Sequence, residues 1–147
     1  MDNHVEEFLT AQEEKEIIAA IRRAENKTSG EIRVHLESTC ENAISRAQEV
    51  FHLLKMDNTK EENGVLIYLA VDSHKFSIIG DKGIDNKVPS NFWDQIKDVM
   101  ASRFRESEFS TGIIKGIELI GKELAQYFPW DVDDTNELSD EISKGTI

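Results

Sequence analysis

The sequence predicts an α/β fold, a three-layer αβα sandwich around a small mixed β-sheet of about four strands that includes a hairpin. Three observations carry this expectation. "EIRVHLE" alternates with the period of a strand and is followed by a helical pattern. "NGVLIYLAV" and "KFSIIG" read as two adjoining strands, and two further helical runs follow them. Strands mixed with helices in this order place helices on both faces of one sheet.

The elements are justified in turn. "TAQE" at Thr10 to Glu13 is a capping box, in which hydroxyl and carboxylate each satisfy an N–H that a helix start leaves unbonded. The helix it opens runs to about Asn26, with Ile17, Ile18 and Ile21 as its core stripe. In the strand that follows, Ile32, Val34 and Leu36 lie on one side and Arg33, His35 and Glu37 on the other, so a half-buried strand is expected. From Glu41 to about Lys55, Ile44, Ala47, Phe51 and Leu54 recur at helical spacing. "NGVLIYLAV" is apolar throughout, which fits a central strand covered on both faces. A tight connection at Asp72-Ser73-His74 returns the chain along "KFSIIG" as a hairpin. Pro89 and Ser90 open a helix with Phe92, Trp93, Ile96, Met100 and Phe104 on its apolar face. Ile113, Ile117, Ile120 and Leu124 mark the last helix, where Gly112 and Gly116 permit close approach to a neighbour.

The chain has 147 residues, enough for one domain that buries roughly two-thirds of its unfolded surface. The expected division is a flexible N-terminus at 1–9, a single domain at 10–128, and an acidic, mobile tail at 129–147. Asp and Glu number 29 against 17 Lys and Arg, a formal charge of -12. That balance repels nucleic acid and anionic membranes. No apolar run reaches the ~20 residues of a spanning helix. The lone Cys40 and an N-terminus without a basic or apolar leader region suggest a cytoplasmic location, and a monomer is expected.

Several motifs tempt and fail. "CENAISR" has the Cys-x5-Arg spacing of cysteine phosphatases, but its intervening residues lack glycine and include Glu41, and a helix there carries Arg46 away from Cys40. "DVDDT" imitates an aspartate-nucleophile motif with too little chain after it. Neither Asp57 nor Asp81 starts an EF-hand loop, because glycine is missing at the sixth position. The four histidines show no zinc spacing.

Two acidic loops remain, "MDNTKEENG" and "GDKGIDNK". An antiparallel hairpin puts Asn63 and Gly80 at the same end, so the loops meet. Asp57, Asn58, Glu61, Glu62, Asp81 and Asp85 then form a candidate site for a hard divalent metal, calcium first and magnesium as the alternative.

"TSGEIRV", "VFHLLKMDNT", "NGVLIYLAV", "KFSIIGDKGI" and "GIIKGIELIGKELAQYF", in that order, resemble the TPM domain. The resemblance spans roughly Thr10 to Phe128. It implies an αβα sandwich, divalent-cation binding as in some members, and the acid-phosphatase activity proposed for thylakoid-lumen members linked to photosystem repair. This chain departs from the family pattern in carrying Lys82 and Asp85 where an aromatic residue and a Glu are common, and in lacking a signal peptide or membrane helix. The expectation is a stand-alone domain that binds metal at the loops, with a regulatory or structural role. One alternative is a metal-dependent acid phosphatase using Lys82, Lys87 or Arg33 as anion contacts. Another is a metal-independent module for an unknown protein partner.

Overall fold

A computed structural model describes residues 4–130 and 142–145. The elements in order are α1 (His4–Glu7), α2 (Ala11–Glu25), β1 (Glu31–Glu37), α3 (Ala43–Leu53), β2 (Gly64–Ala70), β3 (Lys75–Gly80), α4 (Lys82–Asp85), α5 (Phe92–Arg105), α6 (Phe109–Tyr127) and β4 (Ser143–Lys144). The four strands form one mixed sheet in the order β3-β2-β1-β4. β1 and β2 run parallel in the register Glu31↔Gly64 to Glu37↔Ala70, and β2 and β3 run antiparallel from Val65↔Gly80 to Ala70↔Lys75.

Side-chain alternation along the strands divides the core in two. Ile32, Val34 and Leu36 of β1 join Val65, Ile67 and Leu69 of β2 beneath α2, α5 and α6, while Leu66, Tyr68 and Ala70 pack with Ala47, Val50 and Phe51 of α3 on the other face. The sheet is thus the middle layer of a sandwich. Every residue of β2 is buried, as an uninterrupted apolar strand requires.

The capping box forms as the sequence demands. Thr10 Oγ1 accepts from Glu13 N at 3.0 Å, and Thr10 N donates to Glu13 Oε1 at 2.8 Å. Close helix approach at the two glycines also follows. A Cβ on Gly116 would stand 2.5 Å from Met100 Sδ, and one on Gly112 would stand 2.6 Å from the Phe104 ring, so α5 and α6 pack only because both positions lack a side chain.

Other expectations are corrected. β1 is not half-buried: His35 is 0 % exposed and Glu37 is 3 % exposed. β4 pairs along the outer edge of β1 and sets Ser143 beside His35, Tyr68 of β2 stacks on the His35 ring from the other side, and Arg46 of α3 reaches over to Glu37. In α3, Ile44 faces out and Val50 takes the core position. Residues 4–9, left outside the domain by the sequence reading, contribute Val5 and Leu9 to the core. Two short elements were not anticipated, α4 within the second acidic loop and β4 within the expected tail. The tail expectation otherwise falls on residues 131–141, which lie outside the described residues.

Candidate functional site

The two acidic loops do meet, and they meet through backbone. Asp81 N donates to Gly64 O at 3.0 Å, and Gly83 N donates to Glu62 O at 2.9 Å. A Cβ on Gly83 would lie 2.2 Å from Glu61 O and 2.6 Å from Glu62 O, so this contact has no room for any other residue. Glu62 itself adopts a left-handed φ of 52°, a conformation that side-chain-bearing residues take up at some cost.

Each carboxylate has its own surroundings. Asp81 caps α4: its Oδ1 accepts from Lys82 N at 2.8 Å, while Oδ2 is buried with no hydrogen-bond partner. The residue is only 8 % exposed. Glu61 Oε2 accepts from Ser29 Oγ at 2.6 Å and from Asn63 Nδ2 at 3.1 Å. Asp85 Oδ1 accepts from Trp93 Nε1 at 3.0 Å. Asp57 turns to α3 instead, with Oδ2 2.7 Å from His52 Nδ1. Exposed Asn58 donates its backbone N–H to Lys55 O.

Glu61, Glu62 and Asp81 therefore gather around Gly83, Asp85 follows on the same short helix, and Asp57 is held apart. Among the described residues, no three His, Cys, Asp or Glu side chains stand together as a preformed metal cluster. The polar groups at the loop junction are oxygens: the Glu61 and Glu62 carbonyls against Gly83 and, two residues before it, the Asp81 carboxylate that caps α4.

A second polar cluster escaped the sequence reading. Glu37 accepts from Arg46 Nε at 2.9 and 3.0 Å and from Nη2 at 2.7 Å, a forked pair with Glu37 almost fully enclosed. Beside it, His35 Nδ1 lies 2.7 Å from Ser143 Oγ, and the His35 ring stacks at 6.0 Å on the Tyr68 ring. His35 Nε2 and the Tyr68 hydroxyl are buried without hydrogen-bond partners.

Titration follows these surroundings. Burial lowers the His35 pKa below its usual value, against the opposing pull of Glu37. Burial also raises the Tyr68 hydroxyl, assisted by Glu37. Glu37 is itself pushed up by burial, but the Arg46 hydrogen bonds outweigh this and hold it below the ordinary carboxylate range. The only signal in the sequence was the Arg nine residues after Glu37. Arg46 reaches back to that carboxylate and closes no anion loop over Cys40, whose N–H donates to Ser73 Oγ at 3.1 Å.

Of the cations considered as anion contacts, Lys82 is exposed, Lys87 Nζ sits 4.7 Å over the Phe128 ring, and Arg33 is partly buried in β1. Among the described residues no helix is long and apolar enough to cross a membrane.

Comparison with known proteins agrees with this architecture. BA42 from the psychrophilic bacterium Bizionia argentinensis is similar over 95 % of this chain and 97 % of its own, at 56 % identity and a TM-score of 0.89. The N-terminal domain of a protein from P. gingivalis shares the fold at 20 % identity and a TM-score of 0.68, covering 83 % of this chain and 80 % of that one. The N-terminal domain of the cg2496 protein from Corynebacterium glutamicum does so at 14 % identity and 0.63, covering 79 % and 74 %. No curated protein matches the chain. The sequence profile of the TPM domain matches residues 3–123, most of the chain, and with the close likeness to BA42 this shows that the protein belongs to the TPM domain family.

Proposed function

We propose that the junction of the two acidic loops binds a hard divalent cation, calcium in preference to magnesium, and that the ion ties the loops into one surface whose order follows metal level. The observation that carries this reading is Asp81 Oδ2, a buried carboxylate oxygen without a hydrogen-bond partner. A buried anionic oxygen left unpaired is costly, and a cation is the partner that offsets most of that cost. The Glu61 and Glu62 carbonyls lie against Gly83, two residues along from Asp81, and exposed Glu61, Glu62 and Asp85 can supply further oxygens by side-chain rotation. Calcium accepts such an irregular set of six to eight oxygens, whereas magnesium needs a stricter octahedron. Asp57 and Asn58, at the start of the first loop, are peripheral to this arrangement.

Calcium titration followed by amide NMR tests the proposal. The expected result is saturable shifts in residues 57–63 and 80–87, together with a higher Tm, both lost in Asp81→Asn. Asparagine preserves the cap on Lys82 N and removes the charge, so the variant separates ion binding from folding. No response at millimolar calcium, or an unchanged response in Asp81→Asn, would overturn the reading. Hydrolysis of an aryl phosphate that depends on both metal and Asp81 would extend it to the metal-dependent phosphatase activity that the family resemblance implies. Equal rates in both proteins would confine the site to a structural or regulatory role.

A further inference from the structure

At the opposite end of the β2–β3 hairpin from the acidic loops lies a cavity of about 410 Å3 between the hairpin turn and the α5–α6 junction. Its apolar wall includes a run of four phenylalanines. The Phe76 and Phe104 rings meet edge-on at 5.0 Å, Phe104 and Phe109 lie 5.7 Å apart, and Phe109 and Phe8 lie 4.8 Å apart. All four remain partly exposed, although the core beside them has fully buried positions for aromatic and aliphatic groups. The missing side chain at Gly112 lets Phe104 lie against α6 and so fixes the middle of this wall.

The charge at the cavity runs against the charge of the chain. Acidic residues outnumber Lys and Arg by 29 to 17, yet none lines the cavity, whereas His74, Lys75 and Arg105 do. The Lys75 ammonium is engaged by Glu41 O at 2.8 Å and contributes its stem. Exposed Arg105 makes no ion pair or hydrogen bond among the described residues. His74 holds a left-handed φ of 56° at the hairpin turn, where glycine would be less strained, and so keeps an imidazole at the rim.

We propose that this cavity binds a small carboxylate with an apolar body, an aromatic or medium-chain acyl acid, its body against Phe76, Phe104 and Phe109 and its head on Arg105. The volume falls in the range of small-molecule sites, which combine apolar walls with a few polar groups that set orientation. The guanidinium fork matches a planar carboxylate in two parallel hydrogen bonds. A neutral hydrocarbon would leave that fork unused. A cationic ligand would meet only positive groups.

Decanoate, kept below its aggregation concentration, is the probe, and decanol is its uncharged control. Amide NMR should show saturable shifts confined to residues 69–76 and 101–109. Arg105→Gln should weaken decanoate binding about tenfold, the scale of one charge-assisted contact, and decanol should bind the native protein with similar weakness. Ala101→Leu, which fills the cavity without removing a core group, should abolish binding while thermal unfolding shows both variants folded. The calcium response at the loops should be unchanged in Arg105→Gln, so the two sites are tested separately. Absence of saturable shifts, shifts spread over the surface, or equal affinity in Arg105→Gln would overturn the proposal. So would concentration-dependent shifts of the same residues without decanoate, which would mark a contact between copies of the chain.

Discussion

Arg46 on α3 grips Glu37 at the end of β1 with both its Nε and its Nη2, at distances from 2.7 to 3.0 Å. This forked pair fastens α3 to the sheet over a carboxylate that has almost no contact with solvent. Arg46→Ala would leave the buried anion without its partner, so a loss of about 3 kcal/mol in stability is expected. Replacing both partners by apolar residues should cost clearly less, because no charge is then stranded. Urea unfolding of the single and double variants checks the difference.

His35 gives the protein a dependence on mild acid. Its folded pKa lies below the usual 6.5, so as pH falls through 6.5 towards the folded value the unfolded chain takes up a proton that the folded chain refuses. The stabilisation is present above 6.5 and is lost as pH falls towards the lower folded value. Glu37, held below its ordinary 4.5, adds a second loss only under stronger acid. Stability curves at pH 7.5, 6.5 and 5.5 should slope downward, and His35→Gln should flatten the slope in this window. An unaltered slope would refute the assignment to His35.

Gly83 holds the two loops together by admitting the Glu61 and Glu62 carbonyls where a Cβ would stand. Gly83→Ala should cost roughly 1–3 kcal/mol, since both obstructing atoms belong to backbone and cannot rotate away. The same variant should weaken the calcium binding proposed for the loops. Thermal unfolding with and without calcium reads both effects, and a native-like Tm would show that the junction yields more easily than its geometry implies.

The capping box on α2 supplies a more local prediction. Thr10→Ala removes the acceptor for Glu13 N and should lower stability by about 1 kcal/mol, with no effect on calcium binding. Glu13, whose pKa is lowered chiefly by the backbone N–H of residue 10, keeps that donor in the variant, so side-chain NMR should still find it titrating below a free carboxylate.

β4 is secured far from its sequence neighbours. Lys144 bonds to Glu14 and reaches Glu6 at 3.3 Å, and these acids raise its pKa against the effect of burial. Ser143→Ala with Lys144→Ala should release this strand and expose His35, visible as faster amide exchange in β1. Unchanged protection there would show that β1 is covered without help from the strand.

Local pattern was enough to read much of this protein. Thr10 and Glu13 specify a helix start through atoms three residues apart, and the apolar run from Val65 to Ala70 specifies a central strand because no face of it tolerates water. The hairpin return also brought the two acidic loops together, since antiparallel pairing places Asn63 and Gly80 at one end. The fate of individual carboxylates was beyond such reasoning: Asp57 found His52, Asp85 found Trp93, and Asp81 Oδ2 found nothing.

Sequence by itself determined the order of elements, the apolar faces and the family, because periodicity and short-range capping act between residues close in the chain. Tertiary structure alone decided that His35 and Glu37 would lie under cover and that Phe8, Phe76, Phe104 and Phe109 would line one wall. The physical reason is that alternation along β1 marks two faces without saying which groups meet the second one, here Arg46 reaching over from α3 and Ser143 on an edge strand more than 100 residues away.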